Sequence, residues 1–377
     1  MKSADPGRRV PYVNFPAQYA AEKEAIDAAV HGVFQRGDFV GGKAVSQLET
    51  ALAHYIGCKH VVALASGTDA LILGMRALGI GPGDEVITPP NSFVASTAAI
   101  TAIDALPVFA DVGNDGNFDP KAIQKAVTSK TKAIMPVHLS GRIAPMVEIE
   151  AIAKEHGLLI IEDAAQSIGS KLKGRSAGTF GDVGCFSTHP LKNLNAAGDA
   201  GFLTTDDDGI AETVSLLRNH GLKDRDTVVQ WGTVSRLDTV QAEVLLHRLT
   251  NLDDVITNRR ANAALYREKI TARQMELPHC KESEFNTFHT FVVQTEDRDG
   301  LKAYLMEHGI ETAIHYPTPI HLQPAAQSLG YHQGDFPVCE GQSQTILSLP
   351  IHQYLVEADI TAVSDRINAY FGSRDDG

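Results

Sequence analysis

The amino-acid sequence predicts an α/β protein: a large domain on a mostly parallel seven-stranded sheet, and a smaller C-terminal α/β domain. The chain has 377 residues, more than one hydrophobic core usually serves, so two domains are expected. Between residues 60 and 205, short apolar runs alternate with helical patterns, as in a parallel sheet wrapped by helices. A long helical pattern that starts at Asp238 follows as the expected bridge to a second domain. We therefore predict domains at 13–250 and 251–377.

Two amphipathic helices open the predicted fold. Apolar residues recur at helical spacing over 18–34, and a second stripe over 45–55 ends at Gly57, a predicted C-cap. Seven strands then follow in the large domain. They are predicted at 60–64, 85–88, 107–110, 133–137, 158–161, 183–186 and 201–204.

The intervening helices are predicted at 68–78, 93–102, 120–126, 146–155 and 209–219. The last two strands are so close in sequence that at least one is expected to run antiparallel. One long helix from Asp238 to beyond Arg260 is predicted as the bridge to the second domain. After it come an apolar run at 287–294, a helical pattern at 299–308 and a closing helix at 357–371.

Charge and composition exclude several classes of protein. Lys and Arg number 33 against 46 Asp and Glu, giving a net charge of −13, so nucleic acid is not an expected partner. The four cysteines form no CxxC pair or metal-ligand spacing, which indicates no metal site and a reducing cytoplasm. Residues 1–9 lack the apolar core of a signal peptide and are predicted to be a disordered lead-in. The apolar stretch 93–110 contains Asp104 and Pro107, so no membrane span is predicted.

The residues that follow the strands carry unusual chemistry, and ligands in α/β sheets gather at those ends. After the first strand, Gly67 permits a tight turn and Thr68 opens a helix whose free N–H groups suit a phosphate. Alternatively, Ser66 or Thr68 only caps that helix. After the fifth strand comes Asp163, a carboxylate that would be satisfied by a protonated ring nitrogen. Its alternative role is to cap a neighbouring loop.

Lys192 follows another strand within a segment that is nearly uncharged. Pro190, Leu191 and Leu194 flank it, which favours a lysine inside a cleft over one on the surface. A desolvated lysine has a lowered pKa and forms a Schiff base with an aldehyde.

Four motifs together resemble one known family, the DegT/DnrJ/EryC1/StrS family of pyridoxal phosphate-dependent sugar aminotransferases. The resemblance runs from about residue 13 to 370, in the family's order and spacing. It implies the fold of a type I aminotransferase. The motifs are Ser-Gly-Thr-Asp-Ala-Leu at 66–71, Glu-Asp-Ala-Ala-Gln-Ser at 162–167, Phe-Ser-x-x-Pro-x-Lys-Asn-Leu at 186–194 with Gly-Asp-Ala-Gly at 198–201, and His-Tyr-Pro-x-Pro-x-His-x-Gln at 315–323.

The resemblance implies a role for each matching residue. Lys192 matches the lysine that holds pyridoxal phosphate as a Schiff base and then shuttles the proton. Asp163 matches the partner of the pyridinium nitrogen, which keeps the ring an electron sink. Gln166 matches the residue near the ring's O3′ oxygen.

The remaining matches concern the cofactor's phosphate and face. Gly67 and Thr68 match the phosphate cradle, and the Ser187 hydroxyl joins it. Phe93 matches the aromatic residue that stacks on the ring, with a simple core phenylalanine as the alternative. His138 lies near the predicted site, but we assign it no catalytic role.

The resemblance also implies a reaction and partners. The amino group would pass, with glutamate as the donor, to the keto carbon of a nucleotide-linked deoxysugar, within a homodimer. Tyr316 and His321 are candidates to contact that substrate, as is the turn at 218–221; the alternative for His321 is a structural loop histidine. A family dehydratase would carry histidine in place of Lys192, and a non-catalytic regulatory member is the other alternative.

One position departs from the family pattern. The family commonly has an asparagine two residues before Arg236, which reaches the cofactor phosphate across the dimer interface. This chain has Val234 there, and valine donates no hydrogen bond. Ser235, Arg236 or a backbone group would have to substitute, or the phosphate is held more by its own subunit.

Overall fold

A computed structural model describes residues 8–375 of the chain, so most of the lead-in predicted at 1–9 lies outside the described residues. The helices are α1 Phe15–Arg36, α2 Lys43–Ile56, α3 Gly67–Ala77, α4 Ala95–Thr101, α5 Pro120–Ala126, α6 Met146–His156, α7 Asp208–Leu217, α8 Thr239–Thr250, α9 Leu252–Lys269, α10 Arg298–Glu307, α11 Pro337–Thr345 and α12 Glu357–Asp375. The strands are β1 His60–Leu64, β2 Glu85–Thr88, β3 Leu106–Phe109, β4 Thr131–Ile134, β5 Leu159–Asp163, β6 Lys171–Leu172, β7 Arg175–Ser176, β8 Val183–Ser187, β9 Gly201–Thr205, β10 Glu284–Phe285, β11 Phe291–Gln294 and β12 Ile346–Leu349.

Seven strands form the main sheet, in the order β1-β9-β8-β5-β4-β2-β3. Strands β8, β5, β4, β2 and β3 pair parallel, whereas β9 runs antiparallel to both of its neighbours. The predicted strand number and the predicted antiparallel strand are both confirmed. Continuous burial of β2, β8 and β9 reflects a sheet covered on both faces, as parallel sheets are.

Glycines end two of the helices in the way that the sequence predicts. Helix α2 buries Val45, Leu48 and Leu52 on one face and ends at Gly57, whose φ of 85° is left-handed. Helix α6 ends in the same way at Gly157, where φ is 66°. A residue without Cβ adopts this conformation at little cost, which is why glycine terminates helices so often.

A separate hydrophobic cluster forms in the C-terminal part of the chain. Helices α9, α10 and α12 pack with the antiparallel pair β11 and β12, and Val10 joins them from the N-terminal side. The large sheet has its own clusters on its two faces. The boundary at residue 250 stays a prediction.

The predicted bridging helix is two helices rather than one. Helix α8 ends and α9 begins around Asn251, where φ is −108° and ψ is 5°. The two helices still bridge the two clusters, because Leu245 of α8 and Leu252 of α9 belong to a large-sheet cluster, whereas Ala263 and Tyr266 of α9 belong to the C-terminal cluster. Among the described residues, no helix is both long and apolar enough to cross a membrane.

Candidate active site

The candidate site lies at the edge of the sheet where β1, β5 and β8 end and β9 begins. At this edge Gly67 touches Ser187 so closely that a Cβ on Gly67 would lie 2.7 Å from the Ser187 Cβ. A Cβ on Gly201, the first residue of β9, would lie 2.5 Å from the Gly67 nitrogen. Real Cβ contacts are not this short, so the close approach of these strand ends requires glycine at both positions.

The turn after β1 exposes backbone donors at the start of α3. Ser66 is the N-cap, and its hydroxyl accepts a hydrogen bond of 3.0 Å from the Asp69 N–H. The N–H groups of Gly67 and Thr68 have no acceptor among the described residues. The cap that we considered as an alternative is therefore present, and it leaves two donors free for an anion.

Asp163, the last residue of β5, is a buried carboxylate without a cation beside it. It is 5% exposed, and no Lys, Arg or His nitrogen of the described chain lies within 4.0 Å of its oxygens. Its Oδ2 accepts a hydrogen bond of 2.6 Å from the Ser96 hydroxyl, and Oδ1 accepts one of 3.2 Å from the Ala165 N–H. A buried carboxylate normally requires a positive partner, so this site suits a cationic ligand atom.

Lys192 is half-buried, with protein on most sides of its amine. Burial lowers the pKa of Lys192 to about 8, and the nearby Asp163 charge opposes this shift. Two histidines that the sequence did not single out lie in the same environment. Burial, together with the Lys192 charge, lowers the pKa of His315 to about 4 and that of His289 well below its ordinary value.

Gln166, Tyr316 and Phe93 complete the group. The Gln166 Oε1 accepts a hydrogen bond of 2.7 Å from the Ser140 N–H. The rings of Phe93 and Tyr316 are 5.9 Å apart, and 55% of Phe93 is exposed. A core phenylalanine, our alternative for Phe93, would be buried, so its exposure favours a ring that covers a ligand.

The structure keeps His321 apart from these residues. Its side chain is buried against Phe336, and its Nε2 lies 3.0 Å from Glu340 Oε1. The contacts of His321 favour the structural alternative over substrate contact. Arg218, in the turn at 218–221, also points elsewhere: its guanidinium bonds Glu49 and the Ala63 carbonyl.

His138 has a structural role, in agreement with our assignment of no catalytic one. Its Nδ1 accepts a hydrogen bond of 3.2 Å from the Ala144 N–H, so Nε2 carries the proton and donates to Glu162 at 2.8 Å. Both side chains are fully buried. The pair supports the strand end that carries Asp163.

Comparison with known proteins identifies the family. A model of the DegT/DnrJ/EryC1/StrS aminotransferase family matches residues 20–368. The chain belongs to this family. Lys192 and Asp163 are therefore residues of an aminotransferase. This class of protein is favoured over the two alternatives, a dehydratase and a regulatory protein.

Three relatives illustrate the range of this aminotransferase family. A pleiotropic regulatory protein of Geobacillus stearothermophilus is 39% identical over 366 residues, which are 96% of this chain and 98% of the relative. The dTDP-3-amino-3,4,6-trideoxy-alpha-D-glucose transaminase of Streptomyces venezuelae is 38% identical over 96% of both chains. The UDP-N-acetyl-3-dehydro-alpha-D-glucosamine 3-aminotransferase of Acidithiobacillus ferrooxidans is 39% identical over 94% of this chain and 96% of its own.

Solved structures of the family agree with the fold. The crystal structure of DesV from S. venezuelae superposes with a TM-score of 0.94 and 39% identity, covering 96% of this chain and 98% of DesV. NtdA of Bacillus subtilis, solved with bound pyridoxamine phosphate, gives a TM-score of 0.88 and 30% identity over 97% of this chain and 87% of NtdA. The chain is a fold type I aminotransferase, and its cofactor is pyridoxal phosphate.

The residues present at the sheet edge fit this cofactor. The free N–H groups at the start of α3 suit its phosphate, the unpaired Asp163 carboxylate suits a protonated ring nitrogen, and the desolvated Lys192 amine suits its aldehyde. When bound, pyridoxal phosphate carries the amino group and delocalises the electron pair left on a substrate carbon.

Proposed function

We propose that this aminotransferase moves an amino group from an amino-acid donor, glutamate, to the keto carbon of a nucleotide-linked deoxysugar. The names of the relatives from S. venezuelae and A. ferrooxidans, which describe nucleotide sugars, support the substrate class. The choice of glutamate as the amino donor rests on the resemblance alone.

Four free thiols support a cytoplasmic location, where reducing conditions keep cysteines unpaired.

The observation that carries the sugar proposal is a cavity of ≈330 Å³ beside Tyr316, whose lining combines apolar side chains with many polar ones. Amides and hydroxyls dominate its polar lining, and these groups suit sugar hydroxyls. Arg142 on its wall is already paired with Asp115 at 3.2 Å and Glu284 at 2.9 Å, whereas Lys281 on the same wall lies 3.9 Å from Glu284 and is largely exposed. The neutral polar lining residues include Asn91, Asn114, Asn117, Ser140, Asn286 and Thr290.

Asn117 is the most informative of these residues. It is 3% exposed, and its Oδ1 is buried without a hydrogen-bond partner. An unpaired buried acceptor costs about 1–3 kcal/mol, and a donating ligand hydroxyl would recover this loss once the Asn117 side chain turns its closed-off oxygen towards the cavity. This acceptor is the point at which we propose that a sugar hydroxyl binds.

We propose the following roles for the chain's own residues. Lys192 would hold the cofactor covalently until the substrate's amine displaces it, and the freed Nζ would then take and return the substrate proton, which a pKa of about 8 permits. Asp163 holds the positive charge on the ring nitrogen, and Ser96 fixes the orientation of that carboxylate.

The remaining residues bind other parts of the cofactor. Its phosphate is bound by Gly67, Thr68 and Ser187. Gln166 orients the ring beside O3′, and Phe93 covers its face.

The substrate proposal is tested by separating the two half-reactions. The protein loaded with pyridoxamine phosphate is mixed with a panel of nucleotide keto sugars, and the cofactor's absorbance reports amino transfer. We expect turnover with a keto sugar and not with the free sugar or the nucleotide alone. Asn117→Ala should raise the KM for the sugar about tenfold, with little change in the glutamate half-reaction. Equal losses in both half-reactions would contradict the assigned role of Asn117.

The attachment point is tested separately. Borohydride reduction of the loaded protein, followed by peptide mass spectrometry, should place the cofactor on Lys192. Lys192→Ala should retain the fold and lose the covalent link. Attachment at another lysine would overturn the assignment.

We further propose that the enzyme is a homodimer. Large apolar side chains are exposed near the site, including Phe93 at 55% and Leu191 at 43%, and the segment 228–234 exposes Trp231 at 90% and Val234 at 54%. Contiguous exposed apolar surface marks interaction sites. A second copy of the chain is the occupant expected from the family resemblance, and sedimentation velocity measures the stoichiometry directly.

A further inference from the structure

Ser235 is a fully buried serine next to the exposed Val234. Its hydroxyl donates a hydrogen bond of 2.7 Å to the Asp69 carboxylate and accepts one of 3.2 Å from the Ala65 N–H. These partners are 166 and 170 residues away in sequence. A single hydroxyl thus ties the segment around residue 235 to the turn after β1.

The two partners of Ser235 flank the turn that offers the free donors. Ala65 lies immediately before Ser66, and Asp69 belongs to the first turn of α3, where its N–H bonds the Ser66 hydroxyl. Between them lie Gly67 and Thr68. The hydroxyl therefore holds the turn from both ends.

The same segment is itself anchored along β1. The Ser235 N–H donates to the Arg218 carbonyl at 2.9 Å. The Arg218 guanidinium donates to the Ala63 carbonyl at 2.7 Å and to Glu49, and that Glu49 carboxylate accepts the Ala63 N–H at 2.9 Å. Ser235 is thus the last member of a bonded series along the outer edge of β1, which gives its position a rigid support.

The bonds of Ser235 also exclude a different role for it. A hydroxyl has one proton to donate, and here that proton points to Asp69. Ser235 therefore has no donor left for a phosphate of the partner subunit. It does not replace the amide that the family commonly has at the position of Val234.

We propose that Ser235 is a positioning residue for phosphate binding: it fixes the turn so that the Gly67 and Thr68 N–H groups converge on the cofactor's phosphate. Binding groups must be held by supporting hydrogen bonds to keep their geometry, and Ser235 supplies two of them at this turn. The inference rests on the proposed assignment of Gly67 and Thr68 to the phosphate.

The test compares pyridoxal phosphate with pyridoxal, which lacks the phosphate. Both are titrated into full-length apo-protein, and absorbance gives each dissociation constant. In Ser235→Ala we expect the constant for pyridoxal phosphate to rise about tenfold, equivalent to about 1.4 kcal/mol, and the constant for pyridoxal to stay within about twofold. Asp69→Ala removes the acceptor of the same bond and should give the same selective loss. Because the bond removed by Asp69→Ala is one of the two that Ser235→Ala removes, the double variant should lose no more than Ser235→Ala alone.

Thr205→Val is the matched control. The Thr205 hydroxyl is also buried, donates to the Asp182 carbonyl at 2.8 Å and accepts from the Asp207 N–H at 3.2 Å, but it lies at the far end of β9. It should leave the ratio of the two constants unchanged. Equal weakening of both ligands in Ser235→Ala, or no weakening, overturns the inference, and Asp69→Ala alone decides if Ser235→Ala does not fold. A wild-type protein that binds both ligands equally would instead overturn the assignment of Gly67 and Thr68.

Discussion

The surroundings of the Lys192 side chain determine the pH at which its amine is neutral. Burial lowers its pKa to about 8, and only the neutral amine attacks an aldehyde. The neutral fraction grows as the pH rises towards that pKa and changes little beyond it. We expect the rate at which apo-protein captures pyridoxal phosphate to rise about tenfold per pH unit below pH 8 and to level off above it. Stopped-flow absorbance measures this rate.

A small lysine derivative serves as the reference for this profile. Its amine has an ordinary pKa of about 10.4, so its reaction should keep accelerating to about pH 10. If the protein followed the same curve as the free amine, Lys192 would not be desolvated, and the basis for its role in proton transfer would be lost.

Val234 lies where the resemblance to the family implies an asparagine. The side chain is 54% exposed, and the neighbouring Ser235 is fully engaged within its own subunit. The position is therefore not compensated by Ser235, and an amide there should add a hydrogen bond to the partner's phosphate. We expect Val234→Asn to tighten pyridoxal phosphate binding by about 1 kcal/mol, roughly fivefold, in a titration of the apo-protein.

Val229→Asn is the control for that substitution, since Val229 is also half-exposed in the same segment. It should leave affinity unchanged. Unaltered affinity in Val234→Asn would mean that another group, such as Arg236, already serves the phosphate.

The end of β5 depends on the buried carboxylate of Glu162. It accepts hydrogen bonds from the N–H groups of Gly178 at 2.8 Å, Phe180 at 2.6 Å and Gly181 at 2.8 Å, as well as from His138. Glu162→Gln would set an NH2 group against some of these donors. We expect a loss of about 3 kcal/mol or more in the free energy of unfolding, measured by urea denaturation.

Glu243→Gln provides the comparison. Glu243 pairs with Arg36 at 2.6 Å, but both side chains are partly exposed, so the loss should stay below about 1 kcal/mol. Similar losses in the two variants would show that the Glu162 cluster does not hold β5.

The elements that the sequence predicts correctly are those with strong local patterns. Strands β1, β8 and β9 are apolar runs. Gly57 and Gly157 mark the ends of helices α2 and α6. The break at Asn251 carries no proline or glycine that would mark it in the sequence. The two-residue strands β6, β7 and β10 are too short to leave a periodic pattern.

A similar limit applies to the candidate site. Lys192, Asp163 and Gly67 could be predicted as site residues from the sequence, because each lies at or just after a strand end and belongs to a motif. The roles of Ser96 and Ser235 could not be predicted in this way. Ser96 bonds a residue 67 positions away in sequence, and Ser235 bonds one 166 positions away. The sequence around each serine does not indicate a hydrogen bond to a distant carboxylate. Only the folded chain brings each of them to its carboxylate.

At the scale of the whole molecule, Trp231 reports on assembly. It is the single tryptophan of the chain and is 90% exposed in one subunit. If a second copy covers the segment 228–234, its indole leaves water on association. We expect the fluorescence maximum to move to shorter wavelength as protein concentration rises through the dimer dissociation constant.

Sedimentation velocity on the same samples gives the fraction of dimer independently. The shift should follow that fraction. Emission typical of a water-exposed indole in a sample that sediments as a dimer would place the interface elsewhere.

Strand β1 is the outer strand of the main sheet, and its free side is occupied by side chains rather than by another strand. Glu49, Arg218 and Ser235 take the outward hydrogen-bonding groups of Ala63 and Ala65. An edge whose donors and acceptors are already satisfied is a poor template for a strand from another chain. Sheet-to-sheet polymerisation, the usual route to insoluble fibrils, is therefore disfavoured along this part of β1.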